Sequence, residues 1–150
     1  EVGALAEADT VVLDKQVLAR SNVQPEELDG VLAEETERLV AYKKKFDRGH
    51  RPSLEGKVVI LVDDGLATGA TTEAAVQSAK KQGARKVIVA VPVASTTGYA
   101  RVANVSDEVI ALLIDPQFQA VGQYYWKFPQ TTDEEVMRVL ENVANDIGRL

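Results

Sequence analysis

Apolar residues in the first third of the chain predict one helix and one short strand. They recur at steps of three, four and seven over residues 25–47, which is the spacing of an amphipathic helix. Pro25 suits the first helical turn, and the two glutamates after it suit the positive end of the helix dipole. Residues 11–13 form a short apolar run that predicts an edge strand. Residues 48–56, which contain two glycines and a proline, predict a loop.

From Lys57 onward, continuous apolar runs alternate with amphipathic segments. The runs predict buried strands at residues 58–62, 87–91 and 109–114, with the second stopped by Pro92. The segments between them, 72–82 and 95–104, predict helices, and the capping-box spacing of Thr132 and Glu135 predicts a last one. This order predicts a three-layer α/β fold, in which helices flank a mainly parallel sheet within one domain over residues 1–150.

Composition excludes several classes of function. The net charge of −6 and pI near 4.9 argue against nucleic acid or an anionic membrane as the main partner. The absence of cysteine and the single His50 exclude thiolate sites and make a multi-histidine metal site improbable. With no membrane-spanning run and no signal peptide in the sequence, we expect a cytoplasmic protein. One basic run, residues 43–51, has two interpretations: a solvated helix end or a loop that faces an anion.

The turn after the first buried strand carries the candidate chemistry. Asp63 and Asp64 end the strand, and residues 67–71 are small or hydroxyl-bearing and lead into a helix. Unpaired N–H groups at a helix N-terminus bind phosphate, and adjacent carboxylates at a buried strand end need donors such as ribose hydroxyls. Neither the Gly-Lys-Ser/Thr of nucleoside-triphosphate loops nor the dinucleotide fingerprint is present. The alternative is an ordinary strand–helix turn that the aspartates merely cap.

The stretch Val59–Thr71, VILVDDGLATGAT, resembles the 5-phosphoribosyl 1-pyrophosphate (PRPP) signature of type I phosphoribosyltransferases. The resemblance implies that Asp63 and Asp64 hold the ribose hydroxyls, and that Gly65 is among the PRPP-binding residues. It implies a 5-phosphate site at Ala67, Thr68, Gly69, Ala70 and Thr71. No direct metal ligand is implied, because Mg²⁺ arrives on PRPP near the two aspartates. Family members transfer phosphoribose from PRPP to a nitrogenous acceptor.

The acceptor is less clear from the resemblance. Ala67 stands where hypoxanthine-type enzymes carry a third aspartate, and the strand end Val91–Ser95 lacks their lysine, so hypoxanthine salvage is disfavoured. Phe118 could stack on an acceptor ring, with Val93 and Ala94 nearby. Alternatively, the aromatics from residue 118 to 128 pack the last helix onto the sheet.

Over residues 10–145, VPVAS and the Ala-Val-Gly-x-Tyr-Tyr stretch are similar to a little-characterised bacterial group of phosphoribosyltransferase-like proteins, some of which adjoin a hydrolase domain. Type I enzymes carry an earlier strand and a basic, glycine-containing pyrophosphate loop. No such loop is recognised before residue 57, and Asp14-Lys15 and Ala19-Arg20 are only weak candidates. We therefore expect an N-terminally truncated domain that lacks its first strand; the alternative is a degenerate domain. Two functions follow: a phosphoribosyltransferase in the complete protein, or a non-catalytic domain that senses PRPP or a nucleotide. A homo-oligomer or an adjoining domain is the expected protein partner.

Overall fold

The computed structural model describes residues 3–6, 10–13, 25–46 and 53–147. Five strands, four α-helices and one 3₁₀ helix follow one another in these ranges: β1 (Gly3–Ala6), β2 (Thr10–Leu13), α1 (Pro25–Phe46), β3 (Val58–Val62), α2 (Ala70–Lys81), β4 (Lys86–Ser95), α3 (Thr96–Ala103), β5 (Glu108–Asp115), the 3₁₀ helix (Val121–Tyr124) and α4 (Asp133–Ile147).

The main sheet is parallel and has the order β3-β4-β5. Val58 of β3 lies opposite Lys86 of β4, and Ser95 at the end of β4 lies opposite Asp115 at the end of β5. Parallel strands end at the same edge, so this register brings the ends of β3, β4 and β5 together. The predicted α/β fold with a helix-flanked parallel sheet is confirmed.

Helices α2 and α3 cover one face of this sheet. Their fully buried Val76 and Val102 join Val87 and Val89 of β4 and Leu66 of the β3–α2 turn in one core cluster. Burying a side chain of this size contributes about 1.5–3 kcal/mol. The core therefore holds the β3–α2 turn firmly against the sheet.

The opposite face of the sheet carries large apolar side chains that no described residue covers. Val62 is 77% exposed and Leu112 is 85% exposed, and Val58, Ile60 and Ile110 are exposed to a smaller extent. A separate antiparallel pair, β1 with β2, packs against α2. None of the described helices combines the length and apolar character that crossing a membrane requires.

The predicted end of the second buried strand at Pro92 is wrong, because β4 continues to Ser95. A proline stops a strand only where its missing N–H is needed for the ladder. The Ala90 carbonyl faces β3, where it accepts a hydrogen bond from the Asp63 N–H. Because backbone polar groups alternate sides along a strand, the nitrogen of Pro92, two residues later, also faces β3. Pairing with β3 has ended there, so Pro92 removes no ladder bond.

Candidate functional site

The turn between β3 and α2 is fixed to the neighbouring strand by two backbone hydrogen bonds. The Leu66 N–H donates to the Val93 carbonyl at 2.9 Å, and the Ser95 N–H donates to the Leu66 carbonyl at 2.8 Å. The Leu66 side chain is buried in the core. Its neighbours Ala67 and Thr68 remain exposed, so a rigid anchor holds an accessible loop at the carboxyl edge of the sheet.

Gly69 begins α2 in the left-handed conformation, with φ 75° and ψ 2°. A side chain is disfavoured at that φ, and a Cβ there would lie 2.9 Å from the Gly98 carbonyl oxygen. Glycine supplies no side-chain cap of its own, and the Ala70 N–H makes a long hydrogen bond of 3.4 Å to the Thr68 hydroxyl. The N-terminus of α2, which carries partial positive charge, therefore opens toward the loop.

A cleft of about 120 Å³ lies over this helix start. It is lined by Asp63 and by residues 65–72, which include the five residues predicted to hold the 5-phosphate. Asp64 is not among the lining residues. Its N–H donates to the Asp63 carboxylate at 2.9 Å, which keeps the two acidic residues together.

The carboxyl group of Asp63 is partly removed from water. This desolvation raises its pKa above the usual value, and the nearby charge of Asp64 raises it further. Hydrogen bonds from the Asp64 N–H and the Thr72 hydroxyl lower the same pKa and only partly compensate. An Asp63 carboxylate in this setting gains by meeting additional hydrogen-bond donors such as sugar hydroxyls.

Ser95, which was not predicted as a site residue, supports the loop through hydrogen bonds. Its hydroxyl donates to the Ala67 carbonyl at 2.6 Å and accepts from the Gly98 N–H at 2.8 Å as the N-cap of α3. A Cβ at Gly98 would come within 2.5 Å of the Ala67 carbonyl oxygen. A serine before a predicted helix signals the cap, but not the contact with a loop 28 residues earlier.

Replacing Ser95 with alanine is expected to lower the free energy of unfolding by about 1–2 kcal/mol, because the Gly98 N–H and the Ala67 carbonyl lose their partner. Denaturant unfolding measures the loss, and phosphate affinity should fall with it. Ser106→Ala is the matched control, since the Ser106 hydroxyl bonds the Val102 carbonyl at the other end of α3. Equal phosphate affinity in the two variants would contradict a role of Ser95 in bracing the loop.

A side-chain ion pair joins the two helices beside the loop. Arg101 Nε on α3 lies 2.5 Å from Glu73 Oε2 in the first turn of α2, and both side chains are largely buried. The pair and the Ser95 contacts hold α3 against the start of α2. They leave the loop little freedom to collapse.

The segment after β5 folds back toward the same edge. Tyr124 donates to the Asp115 carboxylate at 2.6 Å and stacks on Phe118, with ring centroids 5.4 Å apart. Desolvation and this hydrogen bond raise the pKa of Tyr124 to about 12, and the same bond lowers the pKa of Asp115. Phe118 therefore has one ring face on Tyr124, and its stacking on an acceptor stays a prediction.

The aromatic residues do not form one packed layer under the last helix. Tyr125 packs on Phe128, whereas Trp126 is 99% exposed. Val93 and Ala94, predicted near the acceptor, are 2% and 0% exposed as whole residues. Neither residue presents surface to an acceptor in this structure, so their contact with one stays a prediction.

The structure describes only the first part of the basic run, up to Phe46. Lys43, Lys44 and Lys45 lie exposed in the last turn of α1, and Lys45 forms an ion pair with Asp133 at the start of α4. The rest of the run, residues 47–51, lies outside the described ranges, as do both weak candidates for a pyrophosphate loop, Asp14-Lys15 and Ala19-Arg20.

In the ranges that the structure covers, no three or more histidine, cysteine or acidic residues cluster as a metal site would require. Asp63 and Asp64 supply only two carboxylates. Magnesium commonly takes one or two protein carboxylates and completes its coordination with substrate phosphates and water. Two carboxylates fit a magnesium ion whose remaining ligands are substrate phosphate and water, and magnesium at this site stays a prediction.

Comparison with known proteins identifies the family of the chain. Two Mycobacterium tuberculosis proteins, from strains CDC 1551 and H37Rv and each named as a putative phosphoribosyl transferase, are 39% identical over 97% of this chain. The chain spans 33% of the length of these relatives. The crystal structure of TT1426 from Thermus thermophilus matches with a TM-score of 0.72 and 34% identity, over 93% of this chain and 71% of that one. The family model for the phosphoribosyl transferase domain matches residues 10–128, and the chain belongs to that family.

Proposed function

We propose that the chain binds the ribose 5-phosphate part of PRPP at the β3–α2 turn. In this proposal the backbone N–H groups of residues 67–71 hold the 5-phosphate, and the Asp63–Gly65 end holds the sugar hydroxyls. The complete protein then transfers phosphoribose to a nitrogenous acceptor. The family match supports the reaction class, and the cleft supports the location.

One observation carries the proposal. One cleft of about 120 Å³ is lined both by Asp63, whose carboxyl group is partly removed from water, and by the first residues of α2. The first favours hydroxyl donors and the second favours an anion. A phosphorylated pentose carries both groups on one small molecule.

The chain's own residues contribute by positioning and by electrostatics. A pentose whose phosphate and hydroxyls are both held has little freedom to rotate, so its C1 carbon keeps a fixed direction toward an acceptor. Positive charge develops on the ribose ring as pyrophosphate leaves, and the Asp63 carboxylate stabilises it. Magnesium would be held beside Asp63 and Asp64, where it neutralises the charge of the departing diphosphate.

Calorimetric titration tests the binding step. Ribose 5-phosphate should bind more tightly than inorganic phosphate, and ribose alone should give no measurable heat, because the phosphate supplies the charge that the helix start attracts. PRPP with Mg²⁺ should bind at least as tightly as ribose 5-phosphate. Equal affinity for ribose 5-phosphate and inorganic phosphate would show that the sugar is not recognised and would refute the proposal.

The second candidate is a non-catalytic domain that senses PRPP or a nucleotide. The observation that favours it is length: the curated relatives are about three times as long as this chain, which leaves room for a further domain that such binding could regulate. Pyrophosphate release by the full-length protein, assayed with PRPP, Mg²⁺ and a panel of nitrogenous bases, separates the two. Release that depends on a base supports the transferase. Tight PRPP binding without release supports the sensor.

A further inference from the structure

The two peptide groups on either side of Asp64 are bonded by side chains, beyond the regular pairing of β3 with β4. The regular pairing of β3 with β4 ends at Val62, and only a long contact of 3.4 Å joins the Asp63 N–H to Ala90. One residue later, the Asp64 N–H donates to the Asp63 carboxylate at 2.9 Å. The Asp64 carbonyl belongs to the next peptide group, between Asp64 and Gly65, so a bond to that carbonyl restrains the backbone directly after the acidic pair.

That carbonyl accepts a hydrogen bond from a tyrosine 61 residues further along the chain. The Tyr125 hydroxyl donates to the Asp64 backbone oxygen at 2.7 Å. The Tyr125 ring packs on Phe128, with 5.1 Å between ring centroids, so the hydroxyl sits at the end of a supported side chain. This bond crosses from the segment after β5 to the end of β3.

The same segment is packed closely on the residue that follows the acidic pair. A Cβ at Gly65 would lie 2.9 and 3.0 Å from the two γ-carbons of Val121. Such approaches are tighter than a Cβ normally makes, so glycine allows the 3₁₀ helix to pack closely on the loop. Gln123 also accepts hydrogen bonds from the Gln119 and Ala120 N–H groups at 2.9 Å each, which fixes the start of the segment.

From these contacts we infer that Tyr125 is a positioning residue for pentose recognition. Its hydrogen bond fixes the peptide group between Asp64 and Gly65, and the backbone of Asp64 carries this restraint to the acidic pair and its carboxylates. Tyr125 does not touch the phosphate end of the loop, which is held by Leu66, Ser95 and the start of α2. The inference rests on the proposed binding of a phosphorylated pentose at this loop.

We expect Tyr125→Phe to weaken the binding of one ligand and not of the other. The affinity for ribose 5-phosphate should fall about 10-fold, which is the size of effect expected when one hydrogen bond is lost. The affinity for inorganic phosphate should change less than about twofold. Tyr124→Phe is the matched control, because it removes a hydroxyl from the same segment that bonds Asp115 and not the acidic pair.

Calorimetry of both ligands against wild type, Tyr125→Phe and Tyr124→Phe decides the matter. Selective loss of ribose 5-phosphate affinity in Tyr125→Phe alone supports the inference. A parallel loss for both ligands would mean that Tyr125 only stabilises the fold, and no loss for either would mean that the bond is irrelevant; each result overturns the inference and leaves the proposed site standing. Should the wild-type protein fail to prefer ribose 5-phosphate over phosphate, the proposed function fails first and the inference with it.

Discussion

The double variant Asp63→Asn, Asp64→Asn is expected to lose at least about 100-fold in affinity for PRPP, measured by calorimetry with Mg²⁺ present. Hydrogen bonds that involve a charged group contribute about 1.5–3 kcal/mol each, and two such acceptors are weakened here. Asparagine keeps the size of the side chain, so the loss reports charge and acceptor strength and not a cavity.

This variant should not lose stability. The pKa of Asp63 is raised in the folded protein, so folding disfavours its ionised form. The resulting cost is absent below the unfolded pKa near 3.8 and is fully present once the pH exceeds the raised folded value. At neutral pH, removing the charge removes the cost, and the melting temperature should stay the same or rise.

Asp29→Asn is the control for the double variant, because Asp29 is exposed on α1 and far along the chain from the loop. It should leave both affinity and melting temperature unchanged. A double variant that binds PRPP as tightly as wild type would remove the acidic pair from the site. A double variant that unfolds would show that the pair is structural.

The second large effect is expected for Gly98→Ala. Alanine normally stabilises a helix interior by about 1 kcal/mol relative to glycine. Here the new Cβ would lie 2.5 Å from the Ala67 carbonyl oxygen and 3.0 Å from that of Leu66, both backbone atoms that cannot move away cheaply. Overpacking costs about 1–3 kcal/mol, so the clash exceeds the helix gain. We expect a net loss of stability and at least about a 10-fold loss of phosphate affinity as the loop shifts.

Gly30→Ala provides the matched comparison, since Gly30 is exposed in α1 and a Cβ there would meet nothing within 4 Å. That variant should be neutral or more stable by up to about 1 kcal/mol, with unchanged phosphate affinity. Denaturant unfolding and phosphate titration of the two variants side by side measure the difference. Similar behaviour of the two would mean that α3 does not support the loop.

Sequence patterns predicted the elements whose signal is local. The apolar runs that form β3 and β5 and the glycine-bearing turn before α2 are each encoded within a dozen residues, and each lies within a few residues of its predicted position. The capping box at Thr132 and Glu135 is also present, with the Thr132 N–H bonded to Glu135. Strand β1 was missed because Gly3–Ala6 is rich in glycine and alanine, which carry no strand signal.

The contacts that shape the site join residues far apart in the chain, and this limits what a sequence can predict. The composition of residues 63–71 indicated a phosphate and sugar site, but nothing near Asp64 indicates that Tyr125 binds its carbonyl. Likewise, burial of Val93 and Ala94 follows from helix packing on β4, which residue types alone do not determine. The residue roles proposed for the loop remain predictions until a ligand is measured there.

The most direct test of the account follows the backbone amide signals of the chain by NMR during titration with ribose 5-phosphate. We expect the largest chemical-shift changes at Ala67–Thr71 and a second group of changes at Asp63–Gly65. Inorganic phosphate should produce the changes at Ala67–Thr71 only. Shifts that spare residues 63–71, or that concentrate elsewhere in the chain, would contradict the assignment of this loop as the site for a phosphorylated pentose.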